Sequence, residues 1–402
     1  MRFPEFNDEW ENKKLGDLMT FKVTNSYSRD NLNYESGTVK NIHYGDIHTK
    51  FQTLFDLEKE NVPYVNEDIS LNRISEDFYC QEGDVIFADA SEDLNDVGKS
   101  IEITNLNGEK LLSGLHTLLA RPQKNNFSKG FLGYLLKSDF VRNQIKKESQ
   151  GSKVLSINVG RISNIHLSFP SISEQQKISE FLSLLDKRIL CSMKIIEDTR
   201  KMKLNLLHNL FTQNFRISKQ YISKWEEKTL GDISAILMGQ SPDSSAYNTD
   251  EKGLPLIQGN ADIVHRFSEP RQFTNQITKT CDIGDIILTV RAPVGYVAKS
   301  KHFACIGRGV CAIKSNEKSD SEFIYQFLLY FENKWSSFEQ GSTFTSVNSS
   351  EIKTIKINVP AIEEQREIAQ FLKTFDEKIN LETELLAQYE NQKKYLLQNL
   401  FV

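Results

Sequence analysis

SEQQKISEFL (173–182) and EEQREIAQFL (363–372) are two versions of one amphipathic segment, written 190 positions apart in a chain of 402 residues. The likeness extends both ways. Pro170–Phe211 and Pro360–Phe401 share 15 identities in 42 positions at that constant offset, without a gap. Upstream, QGSKVLSIN (150–158) matches QGSTFTSVN (340–348) at the same offset. CQEGDVIF (80–87) matches CDIGDIIL (281–288) at an offset of 201, and EWENKKLGDL (9–18) matches KWEEKTLGDI (224–233) at 215. The falling offset assigns 25 extra residues to the first copy, all before QGS. An internal repeat sets architecture before any local pattern does. The order is variable block (1–168), helix (169–213), variable block (214–358), helix (359–402).

Each repeated segment follows a proline, carries Glu and Gln in its first turn, and repeats apolar residues in heptads, which predicts a long helix with a coiled-coil seam. On the first helix the apolar seam positions are Ile178, Leu182, Leu185, Ile189, Ile196, Leu206 and Leu210. On the second they are Ile368, Leu372, Phe375, Ile379, Leu386, Leu396 and Leu400. Polar residues interrupt both seams at matching places, Ser192/Glu382 and Lys203/Lys393. Such interruptions cost stability but fix register; the alternative is that the lysines snorkel off the seam. Each helix has the other as its natural partner. Antiparallel pairing, with one variable block at each end of a spacer ~60 Å long, is favoured by the length of the intervening block.

The variable blocks read as α/β (α+β) domains. Strand-like runs recur at 84–90, 100–104, 115–122, 285–298 and 308–314, with GDV and GDI marking turns into strands. Residues 131–152 and 323–342 read as amphipathic helices, each ending at a glycine.

Composition is 39% hydrophobic and 26% charged, as in a globular protein of two or three domains. No run of 18 apolar residues suggests a membrane span, and no apolar leader suggests secretion, so a cytoplasmic location is expected. Five cysteines without a CxxC fit reduced, buried thiols. Net charge is −5, and the four segments carry −5, +2, +1 and −3, so none is strongly basic. A protein so charged holds nucleic acid only through local patches or a partner's help.

Two variable blocks alternating with two related helices resemble the specificity subunit of a type I restriction–modification system. The resemblance covers essentially the whole chain and rests on W…LGD, GD[VI]I, QGS and P-x-I-x-EQ occurring in that order, twice. MGQSP (238–242), QGNADI (258–263), VRAPVG (290–295) and IGRG (306–309) add to it. It implies a non-catalytic DNA reader, each block acting as a target-recognition domain for one half of a bipartite target. The helices would set half-site spacing and dock two modification subunits that carry S-adenosylmethionine. Two ATP-driven restriction subunits would complete the assembly. No cofactor is expected in this chain, and no membrane partner.

The residues themselves are compatible with this. Base edges are read by donors and acceptors on loops. The first block offers Lys40, Asn41, His43, Tyr44, His48 and Lys50, then Ser91, Asn95 and Lys99. The second offers Gln240, Ser241, Asn248, Gln258, Asn260, Arg291 and Arg308. Ser152 and Lys153, with Ser342 and Thr343, follow the two QGS glycines where backbone amides suit phosphate. Ordinary turn bonding and solvation compete with this reading at every one of these positions. No metal site is expected: His43 and His48 have no further ligands at zinc spacing. Nor is a catalytic site: no two prolines are adjacent, as an amino-methyltransferase loop of the Asn-Pro-Pro kind needs, no GxGxxG follows a strand, and VGKS (97–100) has Asp93 where a phosphate loop needs glycine. The competing class is a coiled-coil scaffold whose variable blocks bind proteins.

Overall fold

The computed structural model describes residues 1–123, 126–218, 220–221, 223–335 and 346–401. They form two compact units, Met1–Ser192 with Leu385–Val402, and Met193–Glu384. A central helix spans Ile172–Phe211 and a C-terminal helix Ile362–Asn399. Each unit contains the first stretch of one helix and the last stretch of the other.

The helices run antiparallel. In the first unit Ile178, Leu182 and Leu185 share a core with Leu396, Leu400 and Phe401. In the second, Leu207, Leu210 and Phe211 share one with Ile368, Ala369 and Leu372. Ile196 is buried, Leu206 packs against the second core, and Ile189, Phe375, Ile379 and Leu386 are half-buried. Both seam lysines pair across the seam, Lys203 buried and Lys393 partly exposed. Lys393 Nζ lies 2.5 Å from Asp186, and Lys203 Nζ lies 2.6 Å from Asp376. Adding 190 to Asp186 gives Asp376, and adding it to Lys203 gives Lys393, so one ion pair is built twice with the helices' roles exchanged.

The P-x-I-x-EQ motif is a clamp on each helix start. Glu174, fully buried, takes a two-pronged hydrogen bond from Arg2 (2.8 and 2.7 Å), and buried Glu364 takes one from Arg216 (3.0 and 2.8 Å). Gln175 Nε2 donates to Pro170 O and its Oε1 accepts from Ser128 N; Gln365 does the same with Pro360 O and Asp320 N, all four at 2.9 Å.

The sheets repeat too. In the first unit Met19–Lys22, Thr117–Pro122, Val85–Ala88, Ser100–Asn105 and Leu54–Asp56 form a five-stranded sheet in that order. Beside it lies Lys110–Ser113, Val39–Ile42, Tyr64–Val65, Leu32–Asn33. The second unit orders Ser234–Met238, Val310–Ser315, Ile286–Thr289, Val297–Lys299, Phe267–Ser268, Ile263–Val264 in one sheet. Its other sheet runs Tyr247–Asn248, Gln272–Thr274, Leu254–Ile257, Ala304–Ile306, Thr280–Cys281. The GD pairs explain themselves. Gly83 and Gly284 have φ of +89° and +91°, which glycine adopts without strain. The next aspartate closes each turn, Asp84 Oδ2 on Gln81 N and Asp285 Oδ2 on Asp282 N, both at 2.8 Å.

Some expectations change. The helix expected over 131–152 is two, Phe131–Leu135 and Asp139–Glu148, because Ser138 turns the chain and caps the second. Its end lies at Glu148, before the glycine. The helix expected over 323–342 is Ser321–Phe331 with a 3-10 turn to Lys334, and its predicted end lies outside the described residues. The runs at 84–90 and 285–298 each break at a loop, the second at a cis Ala292–Pro293 bond. Cys80, Cys281, Cys305 and Cys311 are buried, while Cys191 is exposed.

Candidate nucleic-acid interface

In each unit two parallel strands end side by side, and four loops meet there. Val39–Ile42 pairs in parallel with Lys110–Ser113, and Leu254–Ile257 with Ala304–Ile306. The turns leaving them are tied alike, Gly114 N to Ile42 O (2.9 Å) and Gly307 N to Ile257 O (2.8 Å). Space is closed at the first and tight at the second. A Cβ on Gly114 would lie 2.4 Å from Ile42 O, and one on Gly307 3.2 Å from Ser241 Oγ. A third loop joins through Asn25 N to Ser113 O (3.1 Å) and Gln240 N to Ile306 O (2.9 Å). A fourth joins through Asp89 N to His116 O (3.0 Å) and Val290 N to Gly309 O (2.9 Å). Behind it, Ile157 N bonds Asp89 O and Val347 N bonds Val290 O, both at 2.9 Å. The loop equivalents are therefore Asn25/Gln240, His43/Gln258, Leu115/Arg308, His116/Gly309 and Ala90/Arg291.

MGQSP, QGNADI, VRAPVG and IGRG thus converge in the second unit. Gln240, Asn260, Arg291 and Arg308 are exposed there. Ser241 Oγ accepts from Arg308 N (3.1 Å), fixing that turn. Gln258 bonds Tyr247 OH (3.4 Å) and Gln272 Oε1 (3.2 Å). Asn248 is occupied within its own loop, on Lys252 and Phe273.

The first unit gathers a different set. Tyr44 lies against His43, His48 and His116, with ring centroids 4.6, 5.9 and 5.3 Å away. Burial, with the Arg29 charge, pushes the His43 imidazole down, which suits the neutral ring accepting from Gly45 N at 3.2 Å. His48 Nε2 contacts Ala90 O (3.1 Å). Burial pushes the Asp46 carboxyl up, but bonds from Arg29 and Lys50 outweigh it and hold the acid below its ordinary value. Lys50 is exposed beside Tyr34. Asp89, raised by burial and opposed by its neighbour, lies 3.3 Å from exposed His116 Nδ1.

Several expected readers are engaged elsewhere. Asn41 is fully buried, its Oδ1 accepting from Asn25 (2.7 Å), because it sits on a core-facing strand position and not on a loop. Lys40 is on the same strand, paired with Glu109 at 2.9 Å. Lys99 donates to His48 O and Asp96, Asn95 accepts from Lys146, and Ser91 accepts from Asp93 N. Ser152 and Lys153 are exposed, whereas Ser342 and Thr343 lie outside the described residues. Of the QGS stretches, the clear shared role is the closing asparagine. Asn158 caps Val159–Ile162 and Asn348 caps Ser349–Lys353.

His116 and Asn25 were not singled out in the sequence. His116 reads there as the start of a strand, but it occupies a left-handed turn, with φ +54°, before Thr117. The signals were available: Asn25 and Gln240 both stand ten residues after the leucine of LGD, and SGLHT aligns with IGRGV.

One fold-and-loop framework is built twice within the chain and dressed with different side chains. The comparisons specify it. The model of the type I restriction modification DNA specificity domain matches residues 7–198 and 222–391, and the chain belongs to that family. It is 31% identical over 409 residues to the "Putative type I restriction enzyme MjaX specificity subunit" of Methanocaldococcus jannaschii, covering 98% of this chain and 93% of that protein. The type I restriction enzyme MjaVIII specificity subunit of the same organism is 25% identical over 309 residues, 70% of this chain and 71% of the relative. In fold, the chain matches an S subunit of a type I restriction–modification system from M. genitalium (TM-score 0.64, 16% identity, 100% of this chain and 99% of that one). It also matches a chain from a structure of complex assembly and conformational transition of the type I R-M system (TM-score 0.60, 22% identity, 98% and 97%). Among the described residues, no helix is long and apolar enough to cross a membrane.

Proposed function

We propose that this chain reads a bipartite, asymmetric sequence in double-stranded DNA, one half with each variable block. The blocks are those bounded at 1–168 and 214–358, with helical segments at 169–213 and 359–402. The observation that carries the reading is the duplicated four-loop cluster: four backbone hydrogen bonds recur in both units, while the side chains at the loop ends differ. A scaffold that holds geometry constant and varies donors and acceptors is what base-edge reading needs.

The helices set the distance between the halves and dock two modification subunits. Those subunits bind S-adenosylmethionine and transfer the methyl group, and two restriction subunits bring ATP-driven cleavage. This chain supplies recognition without catalysis, in the cytoplasm. Its net charge of −5 assigns much of the phosphate neutralisation to its partners.

The test is a block exchange. Residues 214–358 are replaced by the corresponding block of another family member, and methylated bases are mapped in cells carrying the system. One half of the methylated sequence should change and the other should persist. If both halves change together, the blocks do not read independently.

A further inference from the structure

We propose that the turn leaving the second parallel strand carries the specificity-determining side chain of each unit: His116 in Leu115–His116 and Arg308 in Arg308–Gly309. This rests on the DNA-reading function above and deepens it.

The turn lies at the centre of the loop cluster. The first strand's end bonds it through Gly114 or Gly307, and the fourth loop bonds it through His116 O or Gly309 O. The third loop bonds the last residue of its strand, Ser113 or Ile306. Around it, several side chains are consumed by the fold, while Gln240 and Arg291 of the second unit stay exposed beside Arg308. Asn25 donates to Asn41 Oδ1 (2.7 Å) and Ser113 O (3.1 Å) and accepts from Tyr27 N (3.1 Å). His43 accepts from Gly45 N, and Gln258 is held by Tyr247 and Gln272. His116 and Arg308 are instead exposed.

The chemistry is specific. His116 places Nδ1 3.3 Å from Asp89 Oδ1, a charge contact outside hydrogen-bond geometry, and its exposed ring packs T-shaped with Tyr44 at 5.3 Å. Imidazole nitrogens donate or accept hydrogen bonds, the chemistry that base edges present. His116 also holds a left-handed backbone (φ +54°), which a non-glycine residue adopts at a cost. Arg308 has its backbone N–H fixed by Ser241 Oγ (3.1 Å), so its guanidinium extends from a set turn. Its paired donors match O6 and N7 of guanine.

The experiment uses the full chain assembled with its modification subunits and reads the methylated motif across a genome. His116→Gly removes the ring without straining the backbone. It should make one base pair of the first half-site degenerate and leave the second half intact. Arg308→Ala should make one G·C pair of the second half degenerate and leave the first intact. His116→Asn, which also tolerates the left-handed turn, should retain methylation with altered preference at that same base pair. An unchanged motif in both variants overturns the assignment, as does degeneracy in the opposite half. Loss of all methylation in both the Gly and Asn forms also overturns it, since that marks a structural role. A wild-type complex that methylates no bipartite motif would instead sink the function proposed above.

Discussion

The two units agree where the chain holds itself together and differ where it ends in loops. Arg2–Glu174 and Arg216–Glu364 are the same clamp, Gly83 and Gly284 the same turn, and Asp186–Lys393 and Asp376–Lys203 the same ion pair. The loop ends share their backbone bonds but carry histidines and tyrosine in one unit, and arginines with glutamines in the other. Duplication followed by divergence at unconstrained side chains produces this contrast, because backbone hydrogen bonds tolerate any side chain that fits the space. Even the shared ion pair has diverged around its edges. Tyr134 OH donates to Asp186 (2.9 Å), and Gln326 Nε2 donates to Asp376 (2.8 Å). The side chains of Lys203 and Lys393 are 7% and 22% exposed.

That asymmetry is open to attack by mutation. Asp376→Ala removes the hydrogen-bonded partner of buried Lys203 and should destabilise the chain by ~3–5 kcal/mol in chemical denaturation. Burial lowers the Lys203 pKa, opposed by the Asp376 charge that the substitution removes. Asp186→Ala should cost only ~1–3 kcal/mol, chiefly from the orphaned Tyr134 hydroxyl, because Lys393 reaches water. Equal losses would erase the distinction between the two copies.

A second difference is Glu102, which is buried in the first unit and accepts from Gly130 N (2.5 Å) and Gly133 N (2.7 Å). Burial outweighs those bonds and raises its pKa from 4.5 to about 7. The folded state therefore holds a proton that the unfolded chain releases between pH 4.5 and 7. This contribution is fully present below 4.5 and lost as pH rises to 7, amounting to a few kcal/mol at most, on the order of 1.4 per pH unit. Glu102→Gln should flatten that part of the stability–pH curve. An unchanged slope would exclude Glu102 as its source. The smallest expected effect is at the caps. Asn348 accepts from Ser350 N and Glu351 N within a capping box, whereas Asn158 accepts from Arg161 N alone. Asn348→Ala should cost ~1–2 kcal/mol and Asn158→Ala ~0.5–1 kcal/mol. Reversed costs would show that the box adds nothing.

Much of the frame was legible. The offsets 215 and 190 read from sequence reappear as matching strand registers, Glu11 opposite Phe169 and Glu226 opposite Val359. The heptads named the seam, since burial at positions three and four apart leaves a periodic record. The loops were less legible. Asn41 looked like a reader but alternation on its strand turns it inward, and His116 looked like a strand residue but precedes one. In both cases a one-residue shift in where the strand begins or faces reverses the reading.

By itself the sequence determined the duplication, the two long helices and the order of blocks, because repeats and heptads are periodic along the chain. Only the tertiary structure decided which loops meet. It did so through bonds between residues far apart in the chain, such as Asn25 with Ser113, 88 positions on. It also decided which side chains at those loops the fold consumes. That outcome depends on what stands opposite each donor and acceptor in space, and no spacing along the chain encodes it.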